Sequence, residues 1–372
     1  MKYWRGYLVA GIVALCAWAL NQFAAAHSQL VDMVYPYVTR IIMDYLAGWS
    51  AGFEGCLWQT VLVFLIAILL GSIVLMVVLR WNPIQWFGWV LAAFSVIALL
   101  HTGLYGLNAH AGSLAEDVRL ELREYSVGSL ERAAHYYRDQ ANLYAKKVKR
   151  DADGSVNFVS FEELAVQAAD GFNALAYDRC FPVFTGSTEP VKELGWSNLY
   201  NGTTGVTVAL TGESAVNPNV PEVGLPFAIC HEMSHRMCVH GHADADFGAF
   251  LACTHNKSRQ FRYAGYLMAF RHCYNALCSI QTELGRDALN RVMAEVDSKV
   301  MDDMEEYNDF LGNQANEVDD ALCKMLVSWH IQEVAQYENT EQEDVFDPMD
   351  EMDERLWDIL YPSEPATEGD DE

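Results

Sequence analysis

Three long apolar segments stand near the start of the chain. Residues 6–26, 57–79 and 84–107 contain no Asp, Glu, Lys or Arg. Each segment is about as long as the roughly 20 residues that a helix needs to cross the hydrocarbon core of a bilayer. The pattern therefore predicts a membrane region over residues 1–108, with three transmembrane helices.

The few charged residues beside these segments predict which side of the membrane each end of a segment faces. Lys2 and Arg5 precede the first segment, and Arg80 lies between the second and the third. These residues satisfy the positive-inside rule if they are cytoplasmic, which places everything after about residue 108 outside the cytoplasm. The small residues 24–26 also suit a signal-peptidase site, but the two spans that follow favour a retained anchor. We therefore expect a multi-pass protein of the cell membrane whose larger domain is extracytoplasmic.

Downstream of the spans the hydrophobic period is mostly helical. Apolar residues three or four apart predict a helix over residues 114–148. Residues 205–210 alternate in the manner of a strand and form the clearest strand candidate of the chain. The helical period returns after Pro226. The sequence therefore predicts an α-rich α+β domain with a small sheet over residues 109–337.

The overall charge narrows the classes of partner. The formal net charge is −26, and residues 338–372 are almost continuously acidic, which predicts a solvated, flexible tail. Nucleic acid is not expected as a partner, because its phosphate backbone needs a basic surface. The nine cysteines contain no CxxC pair, so they predict small buried residues rather than a disulfide framework.

The motif H-E-x-x-H carries the clearest chemistry. His231 and His235 are four residues apart, so on a helix both imidazoles lie on one face and can bind one metal ion. Glu232 then lies beside the metal, where its carboxylate can take a proton from water. We therefore predict a Zn²⁺ cofactor, with Glu232 as a catalytic residue. An ordinary helix that carries the motif by chance is the alternative.

A catalytic zinc also needs a third protein ligand and one open position. Asp244 is the preferred candidate, because it lies in the first turn of a predicted helix over residues 243–254. His240 and His242 come second, and Asp246 is expected to face away from the metal because it lies two residues beyond Asp244. More distant candidates are His255 and His272.

A zinc peptidase also needs a donor for the negative charge that develops on the substrate oxygen. Tyr263 and Tyr266 lie on one predicted helix and are the candidates for this catalytic role. Aromatic packing in the core is the competing interpretation of both residues.

Several short runs resemble the bacterial membrane proteins grouped as "domain of unknown function 3810". They are GLN at residues 106–108, TGESAVN at 211–217, LPF at 225–227, HEMSH at 231–235, FRYAGYL at 261–267 and YNDFL at 307–311. The resemblance implies a multi-span membrane protein with a gluzincin-type zinc peptidase domain. Family members carry glutamate at the position of Asp244 and glycine at the position of Cys238.

Together these observations predict a zincin-like metallopeptidase domain tethered by three transmembrane helices. The expected partners are the lipid bilayer and a peptide or protein substrate, whose peptide bond is hydrolysed by a zinc-activated water with Glu232 as general base. The departures at Asp244 and Cys238 motivate an alternative, a catalytically degenerate zincin-like protein that acts as a binding or sensing module.

Overall fold

The computed structural model describes residues 2–334, and within them the chain is mostly helical with one small sheet. The predicted acidic tail over residues 338–372 lies outside the described residues. The helices are α1 (Arg5–Ala26), α2 (Ser28–Ala51), α3 (Leu57–Val78), α4 (Pro83–Leu104), α5 (Leu114–Asp117), α6 (Val127–Ala145), α7 (Phe161–Asn173), α8 (Leu225–Arg236), α9 (His242–Thr254), α10 (Arg259–Ser279), α11 (Glu283–Met293), α12 (Ser298–Leu311) and α13 (Asp320–Trp329).

Three of these helices, α1, α3 and α4, are long and apolar enough to cross a membrane. They coincide with the three predicted segments, which are therefore confirmed as apolar helices. Helices α1 and α4 pack closely, and the approach depends on glycine: a Cβ at Gly6 would lie 2.5 Å from the carbonyl carbon of Gly88. Helix α3 is more isolated, because only Leu57 and Gln59 of its residues are buried.

The helical region that follows the spans differs from the sequence prediction. The predicted continuous helix over residues 114–148 is two helices, α5 and α6, with residues 118–126 outside both. Arg119 has a φ of 57°, and this left-handed backbone cannot continue a right-handed helix. Ser126 then caps α6, because its side chain accepts a hydrogen bond from the backbone N–H of Ser129.

The sheet contains three short strands, β1 (Lys192–Glu193), β2 (Gly205–Val208) and β3 (Glu213–Val216). Their order is β1-β3-β2, with β1 parallel and β2 antiparallel to the central strand β3. The strand predicted over residues 205–210 begins where expected and ends two residues early, at Val208. Within residues 2–334, strand β2 is therefore an edge strand, and no other strand of this range pairs with its outer backbone groups.

Contacts join the apolar helices to the rest of the chain, across the predicted boundary at residue 108. The carboxylate of Glu213, in β3, accepts hydrogen bonds from the backbone N–H groups of Leu57 (2.8 Å) and Trp58 (2.7 Å) at the start of α3. Lys192 pairs with the same carboxylate at 2.9 Å. Helix α2 also buries one face against the domain through residues that include Arg40 and Met43.

The main core lies among α6 to α13, and α8 runs through it. Every residue of α8 is buried, as is expected of a helix that is enclosed on all sides. Helix α8 packs against α9, α10 and both long strands of the sheet. This arrangement places the H-E-x-x-H motif between the edge strand β2 and the helices α9 and α10.

Candidate metal centre

Helix α8 presents the two histidines of the motif on one face. Pro226 lies in the first turn, where its missing N–H costs nothing. His231 and His235 follow at a spacing of four residues, and their ring centroids are 4.7 Å apart with the rings nearly perpendicular, at 88°. Both imidazoles are almost fully buried, at 8% and 7% relative exposure. The helical spacing therefore brings two nitrogen ligands to one point, as the motif predicts.

His242 brings a third imidazole to the same point. Helix α8 ends at Arg236, and the chain returns through residues 237–241 to start α9 at His242. Nδ1 of His242 lies 3.5 Å from Nε2 of His231, and its ring centroid is 5.1 Å from that of His235. The ligand atoms of the three residues all lie within 4.8 Å of one another, so the group could hold a metal ion. His242 is exposed, which leaves this side of the group open.

Each of the two buried histidines forms a hydrogen bond through Nδ1, and this bond leaves its Nε2 free to bind a metal ion. Nδ1 of His235 lies 2.8 Å from the carbonyl oxygen of Val239, which can only accept, so Nδ1 carries the proton in this assignment and Nε2 keeps a free lone pair. Nε2 of His235 is buried and has no hydrogen-bond partner among the described residues. A buried nitrogen without a partner is costly, and a metal ion is one group that would satisfy it.

Asp246 orients the other buried histidine. Its Oδ1 lies 2.6 Å from Nδ1 of His231, so Nε2 of His231 faces the group with its lone pair. Burial alone would lower the pKa of His231, but the Asp246 carboxylate outweighs burial and raises it. Burial and the neighbouring His231 lower the pKa of His235 to about 3, so this imidazole is neutral. Carboxylate–histidine pairs of this kind commonly orient the ligands of protein metal sites.

Glu232 lies between the histidines and the edge strand. Its carboxylate Oε2 accepts a hydrogen bond from the Thr207 hydroxyl of β2 at 2.7 Å. Burial raises the pKa of Glu232, while His231 and Thr207 partly oppose this shift. The close approach of the strand requires glycine, because a Cβ at Gly205 would lie 2.6 Å from Cγ of Glu232. The glutamate is therefore buried, oriented and close to the three imidazoles.

A cleft of about 650 Å³ opens beside this group. His231, Glu232 and His242 line it together with residues 202–205, which lead into β2. Helices α10 and α12 contribute His272 and Tyr307. Nδ1 of His272 is buried without a hydrogen-bond partner in the described part of the chain, and burial lowers the pKa of His272 to about 4. The further lining residues are Phe227, Ala228, Asp246, Met268, Arg271, Leu311, Gln314, Glu317, Val318, Asp319 and Asp320.

Comparison with protein families supports the resemblance seen in the sequence. The family model described as "Protein of unknown function (DUF3810)" matches residues 31–327, most of the chain. The chain belongs to this family. No curated protein and no solved structure matches it. Because the match begins inside α2, it includes α3 and α4 as well as the three clustered histidines of this DUF3810 protein.

The structure places the preferred third ligand of the DUF3810 protein away from the three imidazoles. Asp244 is not part of the group, and its Oδ1 accepts a hydrogen bond from the backbone N–H of Leu114 at 3.2 Å. It lines a second cavity of about 430 Å³ together with Arg40. The reason is helical geometry: Asp244 lies two residues after His242 and therefore on the opposite side of α9, whereas Asp246 lies four residues after His242 and on its side.

The two predicted tyrosines of this DUF3810 protein do not line the cleft, because Tyr263 lies in the buried core and Tyr266 is partly buried and packs against that core. The Tyr263 hydroxyl donates a hydrogen bond to the Asp303 carboxylate. Tyr266 stacks on Tyr144, with ring centroids 5.7 Å apart. The structure therefore gives no support to an oxyanion role for Tyr263 or Tyr266, and the competing interpretation as core aromatics describes their positions. Tyr307 does line the cleft, and it lies in the YNDFL run quoted for the resemblance.

Three other residues considered in the sequence analysis, Asp246, His240 and His255, have different positions relative to the three imidazoles. Asp246 was expected to face away from the metal, but it contacts His231 directly. The ring of His240 stacks on Tyr105 at 5.5 Å, and Nδ1 of His255 lies 2.9 Å from the backbone carbonyl of Leu251. The four-residue spacing from His242 to Asp246 was the sequence signal that could have identified both residues as one unit.

Proposed function

We propose that the protein is a membrane-anchored, zinc-dependent peptidase. The observation that carries the proposal is the convergence of three imidazoles, from His231, His235 and His242, within 4.8 Å of one another beside the buried carboxylate of Glu232. The open cleft next to this group supplies space for a substrate. A helix that carries the motif beneath an edge strand also supports a zincin-like organisation of the domain.

Zinc is the metal that these ligands suit best. Neutral imidazole nitrogens are good zinc ligands, and a catalytic zinc site has three protein ligands and one open position. His231 and His235 fill the buried side, and the exposed His242 completes the set. Bound zinc supplies Lewis acidity, which acidifies a water molecule and polarises a carbonyl group. Because the proposal replaces Asp244 with His242 as third ligand, it differs from the prediction made from the sequence.

Glu232 acts as the general base and then as the general acid. Its carboxylate takes a proton from the attacking water and passes it to the nitrogen of the leaving amine. The hydrogen bond from Thr207 to Oε2 fixes the orientation of the carboxylate, so Oε1 remains to receive the proton. The raised pKa of Glu232, caused mainly by burial, makes its carboxylate a stronger base and so favours the first step, the uptake of a proton from water.

The walls of the cleft suit an extended peptide. Strand β2 is the edge of the sheet, and its unpaired backbone groups can add a peptide as a further strand. His272 and Tyr307 line the cleft with His231, so their N–H and O–H groups are the candidates to donate hydrogen bonds to the substrate oxygen. Both positions are on helices α10 and α12, which gives the donors a rigid support.

The apolar helices support an activity that takes place at a membrane. Helices α1, α3 and α4 are long and apolar enough to span a bilayer, and Glu213 links the sheet to the first residues of α3. With Lys2, Arg5 and Arg80 in the cytoplasm, the peptidase domain is extracytoplasmic. Its substrates are then peptides or proteins near the outer surface of the membrane.

The metal content of the purified full-length protein tests the proposed ligands. We expect about one zinc per chain in the wild type and loss of zinc in His242→Ala. Asp244→Ala is the matched control on the same helix, and it should retain zinc because its carboxylate bonds to Leu114 instead. Loss of zinc in Asp244→Ala alone would restore the ligand set predicted from the sequence. A wild type without bound zinc after zinc loading would refute the metal site.

Hydrolysis of a quenched fluorescent peptide library tests the catalytic role. Glu232→Gln keeps the size of the side chain but removes the base, so it should retain zinc and lose activity by at least about a hundredfold. If the wild type and the variant both bind zinc and neither cleaves any peptide of the library, the result would favour the alternative, a binding or sensing module.

A further inference from the structure

Helix α2 has two distinct faces, although it is not among the helices that are long and apolar enough to span a membrane. Its inner face is buried against the domain and includes Thr39, Arg40 and Met43. Its outer face, on the opposite side, carries mainly large apolar and aromatic residues that are exposed, with the exposed Asp44 at its margin. These apolar and aromatic residues are Leu30, Met33, Val34, Tyr37, Val38, Ile41, Tyr45 and Trp49. Their spacing of three or four residues keeps them on one stripe of the helix.

The position of α2 in the chain indicates what covers the outer face. Only His27 separates α2 from α1, and residues 52–56 separate it from α3. Both neighbours are apolar helices that could cross a membrane, so α2 lies at the bilayer surface if they do. Helices in this position bury an apolar face in the interface between headgroups and acyl chains. The exposed aromatic residues Tyr37, Tyr45 and Trp49 suit that environment.

The inner face of α2 contacts the loop that joins the metal-binding helices. This loop, residues 237–241, is called the metal loop below. Nε of Arg40 donates a hydrogen bond to the carbonyl oxygen of Met237 at 3.2 Å. The Thr39 hydroxyl donates to Sγ of Cys238 at 3.3 Å. Two consecutive residues of α2 therefore contact two consecutive residues of the metal loop.

The metal loop in turn orients His235. The carbonyl oxygen of Val239 accepts the hydrogen bond from Nδ1 of His235, and the Tyr105 hydroxyl, just beyond α4, donates to the same oxygen at 3.4 Å. Cys238 has a φ of 71°, a left-handed conformation that costs free energy in any residue other than glycine. The loop therefore holds an unfavourable conformation at the point where α2 contacts it.

We propose that the bilayer supports α2 through its outer face, and that α2 thereby holds the metal loop in the conformation that orients His235. Thr39 and Arg40 are positioning residues in this arrangement, because they act on the metal through the loop and do not touch it. The inference rests on the proposed function for the presence of zinc. It adds that the affinity of the site for zinc depends on contact between α2 and lipid.

Zinc affinity of the full-length protein in lipid nanodiscs tests the inner face. Thr39→Val and Arg40→Met should each weaken zinc binding about tenfold in competition with a chromophoric chelator, as removal of outer-sphere support commonly does. The visible spectrum of the cobalt-loaded protein should also shift, because the orientation of His235 changes. Thr102→Val is the matched control, since it removes a similar hydrogen bond to the preceding helical turn in α4 without touching the metal loop. Equal affinity and spectra in all four proteins would overturn the positioning role while leaving the proposed peptidase intact.

Two measurements test the outer face. Brominated lipids should quench a component of tryptophan fluorescence that is absent from Trp49→Phe, and this readout needs no metal. Ile41→Asp should weaken zinc binding in nanodiscs about as much as Arg40→Met, whereas Leu199→Asp, at another exposed apolar residue, should not. Absence of the quenched component would refute the contact with lipid. A wild type that shows the quenching but binds no zinc would refute the proposed function and, with it, the role of α2 in metal binding.

Discussion

Replacement of Asp246 by asparagine isolates the contribution of one carboxylate to the metal centre. Oδ1 of Asp246 lies 2.6 Å from Nδ1 of His231. Burial would raise the pKa of Asp246, but His231 beside it keeps the pKa below its ordinary value, so the group is an anion. A hydrogen bond to a charged group contributes about 1.5–3 kcal/mol, against about 1 kcal/mol for a neutral pair. Asp246→Asn should therefore cost about 0.5–2 kcal/mol of zinc-binding free energy.

This free energy corresponds to roughly a 2- to 30-fold weaker affinity for zinc. The measurement is a chelator competition on the full-length protein at pH 7, where Asp246 is ionised. Asp244→Asn is the control, because the same chemical change is made two residues away on α9, at a carboxylate that bonds to Leu114. Equal losses of affinity in the two variants would refute the assignment of Asp246 to His231.

Three further predictions concern the surroundings of the site. Gly205→Ala should lower kcat of peptide hydrolysis at least about tenfold with zinc retained, because the new Cβ would displace the Glu232 carboxylate; unchanged kcat would contradict the close approach. Glu213→Gln should destabilise the protein by roughly 3 kcal/mol, since it breaks a buried ion pair. A thermal melt in detergent checks this, and an unchanged Tm would disprove it. Tyr263→Phe should leave kcat unchanged and lower stability by about 1–2 kcal/mol, because its hydroxyl bonds to Asp303. A selective loss of kcat would restore its predicted oxyanion role.

The parts of the fold that depend on local periodicity could be predicted from the sequence. The three apolar helices need only length and the absence of charge, and the structure contains all three. The H-E-x-x-H helix needs only a four-residue spacing, so the pairing of His231 with His235 follows from helical geometry. The strand beginning at Gly205 was recognised by its alternation. In each case the residues of the element itself are enough to predict it.

The third imidazole could not be chosen in the same way. His242 and Asp244 lie two residues apart, and which of them meets His231 depends on the path of residues 237–241. That path turns at Cys238, whose left-handed φ of 71° is unusual for a cysteine. The only signal for it was the glycine that members of the resembling family carry at this position. The break between α5 and α6 has a similar origin, because Arg119 also adopts a positive φ. The chain path could therefore not be predicted from local sequence at residues other than glycine that adopt a left-handed backbone conformation.

The contact between Glu213 and α3 has a consequence for the distance between the cleft and the lipid. Both oxygens of this carboxylate bind the first N–H groups of α3, groups that no residue within the helix can satisfy. The N-terminal end of a transmembrane helix lies near the boundary of the hydrocarbon layer. If α3 spans the bilayer as proposed, the pairing of β3 with β2, which borders the cleft, holds the cleft at a set height above that boundary. Under the proposed peptidase function, a substrate anchored in the same membrane would then be cut at a set distance from the bilayer.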